Sequence, residues 1–320
     1  MPNSLIDSVT RAWDLLVQQV DEFLGWSPGP GPVPSVRRPR AMADGELHAA
    51  LRAAAAGLMH AVDPARAGVA AAGDARWRFN LPAVPETQVP AMFTEASDAF
   101  RLAVTGIEDR ASAAALAAVG HLAETLARTR WLLEPSSPPE RRERGFALAA
   151  AAIDRLRVLS DRAEVAGDPD HGDVAGEIAD RAVTMESRLT ELREADGLRE
   201  VRVPKRHKLL QAYLPAGAEL FALLAAADPS PATAPSGLFY AETAAGDALR
   251  GFQRQQLTRA YWLAQAIVLY ADMCRAAAPV LGRGDWEQAV AAAGPRYRPL
   301  CQEAGRRYRE RLRRGLHPGL

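Results

Sequence analysis

The chain has 320 residues, no formal net charge and 48% hydrophobic residues, which describes a globular protein long enough for a large core and about two domains. A neutral chain has no global field drawing it to nucleic acid or to an anionic membrane. No apolar run reaches the ~18 residues a membrane span needs, and Cys274 and Cys301 form no CxxC pair, so a thiolate zinc site is unsupported and a reducing cytoplasm is the expected compartment.

The N-terminal segment is the most informative part. Val9, Trp13, Leu16, Val20 and Phe23 recur at steps of four and three, the spacing of a heptad seam, and predict one apolar stripe on a helix over residues 1–26. Asp7, Asp14, Asp21 and Glu22 interrupt this segment, so it reads neither as a secretory signal nor as the Lys/Arg-rich helix of a membrane surface. Ser27-Pro28-Gly29-Pro30-Gly31-Pro32-Val33-Pro34 follows and opens a linker over 27–43 that excludes helix. Residues 27–40, extended as polyproline II, reach ~43 Å at ~3.1 Å each. A helix with its own apolar face, held off the body, needs a covering partner. That partner is another protein, a second copy or a groove on its own body.

The body, 44–315, is expected to be all-α, a bundle of about eight or nine helices, with 316–320 a disordered tail. Asp44 is the expected N-cap of a helix over 45–62. Residues 63–90, with Trp77, Phe79 and four prolines, read as irregular. Helices are then expected over 92–106, 107–133, 138–165, 173–195, 205–227, 239–278, 285–292 and 299–315. Alanine-rich stretches at 111–118 and 147–152 favour helix and close packing. Strand-like alternation is absent.

The hairpin about residue 135 has the clearest punctuation. Ser137 precedes Pro138, and Glu140 stands three residues after it, a helix-start pattern. The stretch 107–159, with Trp131-Leu132-Leu133-Glu134-Pro135 followed by an Arg-rich return helix, resembles uncharacterised helical proteins of high-GC bacteria. Some of these are distantly similar to HEPN proteins, helical bundles that include ribonuclease toxins. That resemblance implies RNA binding or cleavage in a defence or toxin–antitoxin setting. The group's later Ser-x-x-Ala-His element has as its nearest counterpart Tyr240-Ala-Glu242-Thr-Ala-Ala-Gly246, without the histidine. HEPN ribonucleases use Arg, four to six residues, then His; Arg202 with His207 and Arg311 with His317 fit that spacing, a match that chance also produces.

Several other groups carry chemistry in one reading and structure in another. His121 and Glu124 share a helix face, as metal ligands or as a hydrogen-bonded pair; no second copy of the di-iron pattern exists, so no metal or cofactor is expected. Asp168-Pro-Asp170-His171-Gly172-Asp173 lacks the glycine and glutamate of an EF-hand and reads as a solvated loop with Asp173 capping the next helix. Lys205, Arg206 and Lys208, and Arg307, Arg309 and Arg311 with Tyr297 and Tyr308 nearby, suit phosphate contact and base stacking. The same C-terminal helix carries a packing stripe of Tyr297, Leu300, Ala304, Tyr308 and Leu312. Tyr240, Tyr261 and Trp262 either line a ligand pocket or belong to a central core helix.

The leading expectation is a non-catalytic interaction or assembly protein, with Val9, Trp13, Leu16, Val20 and Phe23 contacting a protein partner or a second copy. A HEPN-like nucleic-acid-directed protein is the alternative, and a helical small-molecule binder or enzyme the second alternative.

Overall fold

The computed structural model describes residues 42–62, 85–165, 169–214, 217, 220 and 256–316. Among them are eight helices and no strand: α1 (Asp44–Ala61), α2 (Pro85–Glu108), α3 (Ser112–Leu133), α4 (Pro138–Val165), α5 (Pro169–Ala195), α6 (Arg206–Tyr213), α7 (Gln256–Leu281) and α8 (Gly284–Leu316). The chain is all-α. No helix among the described residues is long and apolar enough to cross a membrane.

α7 is the hub. Apolar residues occupy every side of it, and Leu257, Trp262, Ile267, Tyr270 and Cys274 are all buried. A helix apolar all round must be enclosed, and α1, α2, α3 and α8 pack about it. Aromatic rings fill the widest gaps: Phe100 stacks on Tyr270 with centroids 4.4 Å apart, and Phe93 on Trp286 at 4.5 Å. α6 lies on α3.

α4 and α5 form a hairpin with a smaller core of its own, built from Phe146, Ala149, Ile153, Ala182 and Leu189. It joins the main bundle through the base of α4, where Gln88 Nε2 of α2 donates to the Gly145 carbonyl at 2.7 Å.

Three helices end in the same way. After α5 and α7 the left-handed position is filled by Gly197 (φ 62°) and Gly282 (φ 64°), and the next N–H returns to the carbonyl five residues back. Glycine takes this conformation without a Cβ clash. After α2 the same position is held by Arg110 (φ 59°), with the Ala111 N–H bonded to the Gly106 carbonyl at 2.8 Å. Gly106 itself lets α2 and α3 meet, since a Cβ there would lie 3.1 Å from the Ala115 backbone nitrogen.

Several boundaries differ from the sequence reading. Asp44 is the first residue of α1 rather than its cap, and Glu46 reaches back to accept the Ala43 N–H at 2.8 Å. α2 starts at Pro85 and runs through Pro90. α5 starts at Pro169, so Asp173 is its fifth residue rather than the residue before it; proline suits a first helical position. The separate helices over 285–292 and 299–315 are one helix, α8, which continues through Pro295 and Pro299 and ends at Leu316, one residue into the expected tail.

Candidate functional site

Val9, Trp13, Leu16, Val20, Phe23 and Tyr240 lie outside the described residues, as does His317. The point where the N-terminal segment joins the body is described. Arg307 of α8 donates from Nη1 to the Met42 carbonyl at 2.6 Å and to Asp44 Oδ1 at 3.1 Å, and from Nε to Glu303 Oε1 at 2.6 Å. Glu303 also receives Arg306, at 2.9 and 2.7 Å. These two guanidiniums hold the Glu303 carboxyl at about 2, well below the usual range. A single clamp therefore fixes the last residues before α1 against α8.

The basic candidates divide. Arg307 serves this clamp and is mostly buried. Arg206 sits beside Glu124 at 3.2 Å, and Glu124 also takes Arg128. Lys205 and Lys208 are exposed at the start of α6, and Arg309 and Arg311 are half-buried on α8. Tyr297, Ala304 and Tyr308 are buried, so this face of α8 packs inward. Tyr308 stacks on Tyr261 with centroids 4.2 Å apart, and Tyr261 meets Trp262 edge-on. Tyr261 and Trp262 thus belong to the main core. His121 faces Glu95 at 3.9 Å rather than Glu124, so the two residues of the metal reading do not converge.

The Trp131–Pro135 stretch proves to be a joint. Arg144 of α4 lies over the Trp131 ring, 5.2 Å from its centroid, and donates to the Trp131 carbonyl and to Glu134 Oε2 at 2.8 Å. Tyr213 at the end of α6 donates its hydroxyl to the same carboxylate oxygen at 2.6 Å. The Tyr213 and Arg144 hydrogen bonds hold the Glu134 carboxyl below its usual range. α3, α4 and α6 meet at these four side chains.

The α4–α5 hairpin and residues 199–203 enclose a groove of about 600 Å³. Its floor is apolar and small, with Phe146, Ala147, Ala150 and Ala151 from α4 and Leu189 from α5. Its walls are charged and mutually paired: Arg199 holds Glu143 through Nε–Oε1 at 3.0 Å and Nη2–Oε2 at 3.1 Å, and Arg193 faces Glu200 at 3.7 Å. Arg202 also lines it, almost fully exposed, while its sequence companion His207 belongs to α6. Sequence reading had no signal for this groove, because it depends on how a segment after α5 folds back along the hairpin.

No protein-family model, curated protein or solved structure matches the chain.

Proposed function

We propose that the chain is a helical interaction protein without catalytic activity, which recruits a protein partner or a second copy of itself through its N-terminal helix. The observation that carries this reading is the apolar stripe of Val9, Trp13, Leu16, Val20 and Phe23, followed at once by a proline-rich linker. Such a stripe buries itself only against another surface. The Arg307 clamp at Met42 supports it, because it gives the linker one anchored point of departure from the bundle. The RNA-directed reading has weaker support, since Arg307 and Arg206 are both committed to carboxylates that join helices.

The test is light scattering behind size exclusion on the full chain, on a chain starting at Asp44 and on Trp13→Asp, with residues 1–40 as bait for partner capture. Loss of self-association or of capture in both variants, with melting of the bundle unchanged, is the expected result. Equal masses for all three, together with capture that survives Trp13→Asp, would sink the proposal.

A further inference from the structure

The groove on the α4–α5 hairpin continues towards the α4–α5 turn as an apolar strip. On α4, Ala147, Ala151, Asp154 and Val158 follow at steps of four, three and four; on α5, Val183, Glu186, Thr190 and Arg193 follow at steps of three, four and three. Residues at these spacings share one face of a helix. Val158 and Val183 therefore extend the groove side of each helix. They are 48% and 59% exposed, and among the described residues only Leu102 joins them as an exposed large hydrophobic side chain. From Glu143 to Val158 the strip is ~22 Å long at ~1.5 Å per residue.

The charged rim is ordered along this length. Arg193, Arg199 and Arg202 stand nearer the base of α4, where Glu143 and Glu200 are the opposing carboxylates. Arg202 is 92% exposed, and its nearest carboxylate, Glu200, is 3.9 Å away. Asp154 and Glu186 stand nearer the turn.

We infer that this strip receives the N-terminal helix of a second copy of the chain, which rests on the docking role proposed above for residues 1–26. The stripe from Val9 to Phe23 is ~21 Å long as a helix, the length of the strip. The floor is made of alanines, which leaves room for the large side chains the stripe carries. Charge sets the orientation. Asp21 and Glu22 lie at the tether end of the helix, with the negative end of its dipole, and match the three arginines. Reversed, they would meet Asp154 and Glu186. In the matched orientation Val20 lies over Ala150 and Ala151, and Trp13 reaches the level of Val158 and Val183.

The tether favours a second copy over the chain's own hairpin. Arg307 holds Met42 on α8, which packs on α7 and α1, whereas α4 packs on α5, α3 and α2. Three helix-to-helix steps of ~8–10 Å, with the distance along α8, put the strip ~30–40 Å from Met42 and would draw the ~43 Å tether nearly straight. A second copy makes no such demand, and two copies exchanging helices bury two equal contacts about one two-fold axis.

The experiment mixes two full-length variants, Val20→Cys and Ala150→Cys, under mild oxidation and reads mixed disulfides by non-reducing electrophoresis and mass mapping. Cys274 and Cys301 are buried and do not compete. Ala150 is exposed, so a cysteine there leaves the hairpin core intact. The link from position 20 to position 150 is expected to form about tenfold faster than one from Gln18→Cys, which lies opposite the stripe. Light scattering is expected to show a dimer. Arg202→Glu should raise its Kd about tenfold, with recovery when Asp21→Arg and Glu22→Arg are added. Equal linking from positions 18 and 20 overturns the inference. So does a chain carrying both Val20→Cys and Ala150→Cys that closes only on itself. A dimer that is still lost on Trp13→Asp would then leave the docking role standing. A full chain that stays monomeric also overturns the inference, and the docking role falls with it only where residues 1–40 capture no partner.

Discussion

Arg130 of α3 and Asp272 of α7 meet at 2.9 Å, and each has a second engagement that ties in another helix. Arg130 Nη1 donates to the Tyr213 carbonyl at the end of α6 at 2.7 Å. Asp272 also receives Arg275 at 2.6 Å, and Arg275 reaches the Tyr297 hydroxyl of α8 at 3.1 Å. Both side chains are mostly buried, so four helices share one partly desolvated network.

Asp272→Asn leaves two guanidiniums facing a neutral amide. Removing one partner of a buried ion pair destabilises by ~3–5 kcal/mol. The residual exposure of this pair lowers the expectation to about 2–3 kcal/mol. Urea unfolding gives the number; a loss below about 0.5 kcal/mol would place the pair among ordinary surface bridges.

The two cysteines make a second prediction. Cys274 and Cys301 are free and buried, and burial pushes both thiols up, Cys301 to about 12. Tyr270, which hydrogen-bonds Ser97 and the Val62 carbonyl at 3.2 Å each, is shifted up as well, mainly by burial. The thiolate is the reactive form. Neither cysteine is expected to react with Ellman's reagent at pH 8 until the chain unfolds. For groups whose folded pKa is raised, the stability contribution is full below the unfolded value of ~8.5 for Cys and is lost as pH rises towards the folded value. Unfolding midpoints should therefore fall with pH above about 9. One thiol titrating rapidly in the native chain at pH 8 would contradict the burial.

What the sequence made legible depended on punctuation. α4 was readable to the residue because Ser137, Pro138 and Glu140 mark its start, and α3 ends at Leu133 just before Glu134-Pro135. The same reasoning failed where proline lies within a helix. Pro295 and Pro299 each remove one backbone donor, yet Val290, Tyr297, Cys301 and Tyr308 stay buried on both sides of them, and that packing keeps α8 continuous. Arg307 read as a phosphate contact because its neighbours in sequence are arginines. Its partners Asp44 and Met42 are more than 260 positions away, at separations of 263 and 265. Tyr261 and Trp262 were ambiguous for the same reason, since Tyr308 comes from another helix.

The joint at Trp131 tests whether an arginine there can be exchanged for lysine. Arg144 bonds a carbonyl and a carboxylate together and lies over an indole ring, which needs the planar fork. Arg144→Lys is expected to cost about 1–2 kcal/mol. Tyr213→Phe should cost less, about 0.5–1 kcal/mol, because Glu134 is exposed and keeps Arg144. The double variant should differ from the sum of the singles, as both act on one carboxylate. Strict additivity would mean that Glu134 does not couple them.

Glu303 governs the acid side and links it to the clamp at the N-terminal segment. Its carboxyl is held at about 2 by Arg306 first and Arg307 next. A depressed carboxylate contributes stability that is full above its unfolded value of ~4.3 and is lost as pH falls through the folded value. Wild-type stability should therefore decline from about pH 5 towards pH 2. Glu303→Gln should lower stability at pH 7 by about 1–2 kcal/mol, allowing for screening at this partly exposed site, and should flatten the acid limb. Arg307 would keep Asp44 and the Met42 carbonyl, so α1 stays docked. Other carboxylates, among them Glu134 and Glu143, are also held low by arginines, so the informative quantity is the difference between the two curves. Urea midpoints for both chains at pH 7, 5, 4 and 3 supply it. If the two curves run parallel through the acid range, Glu303 titrates alike in the folded and unfolded chain, and the clamp rests on Asp44 and the Met42 carbonyl instead.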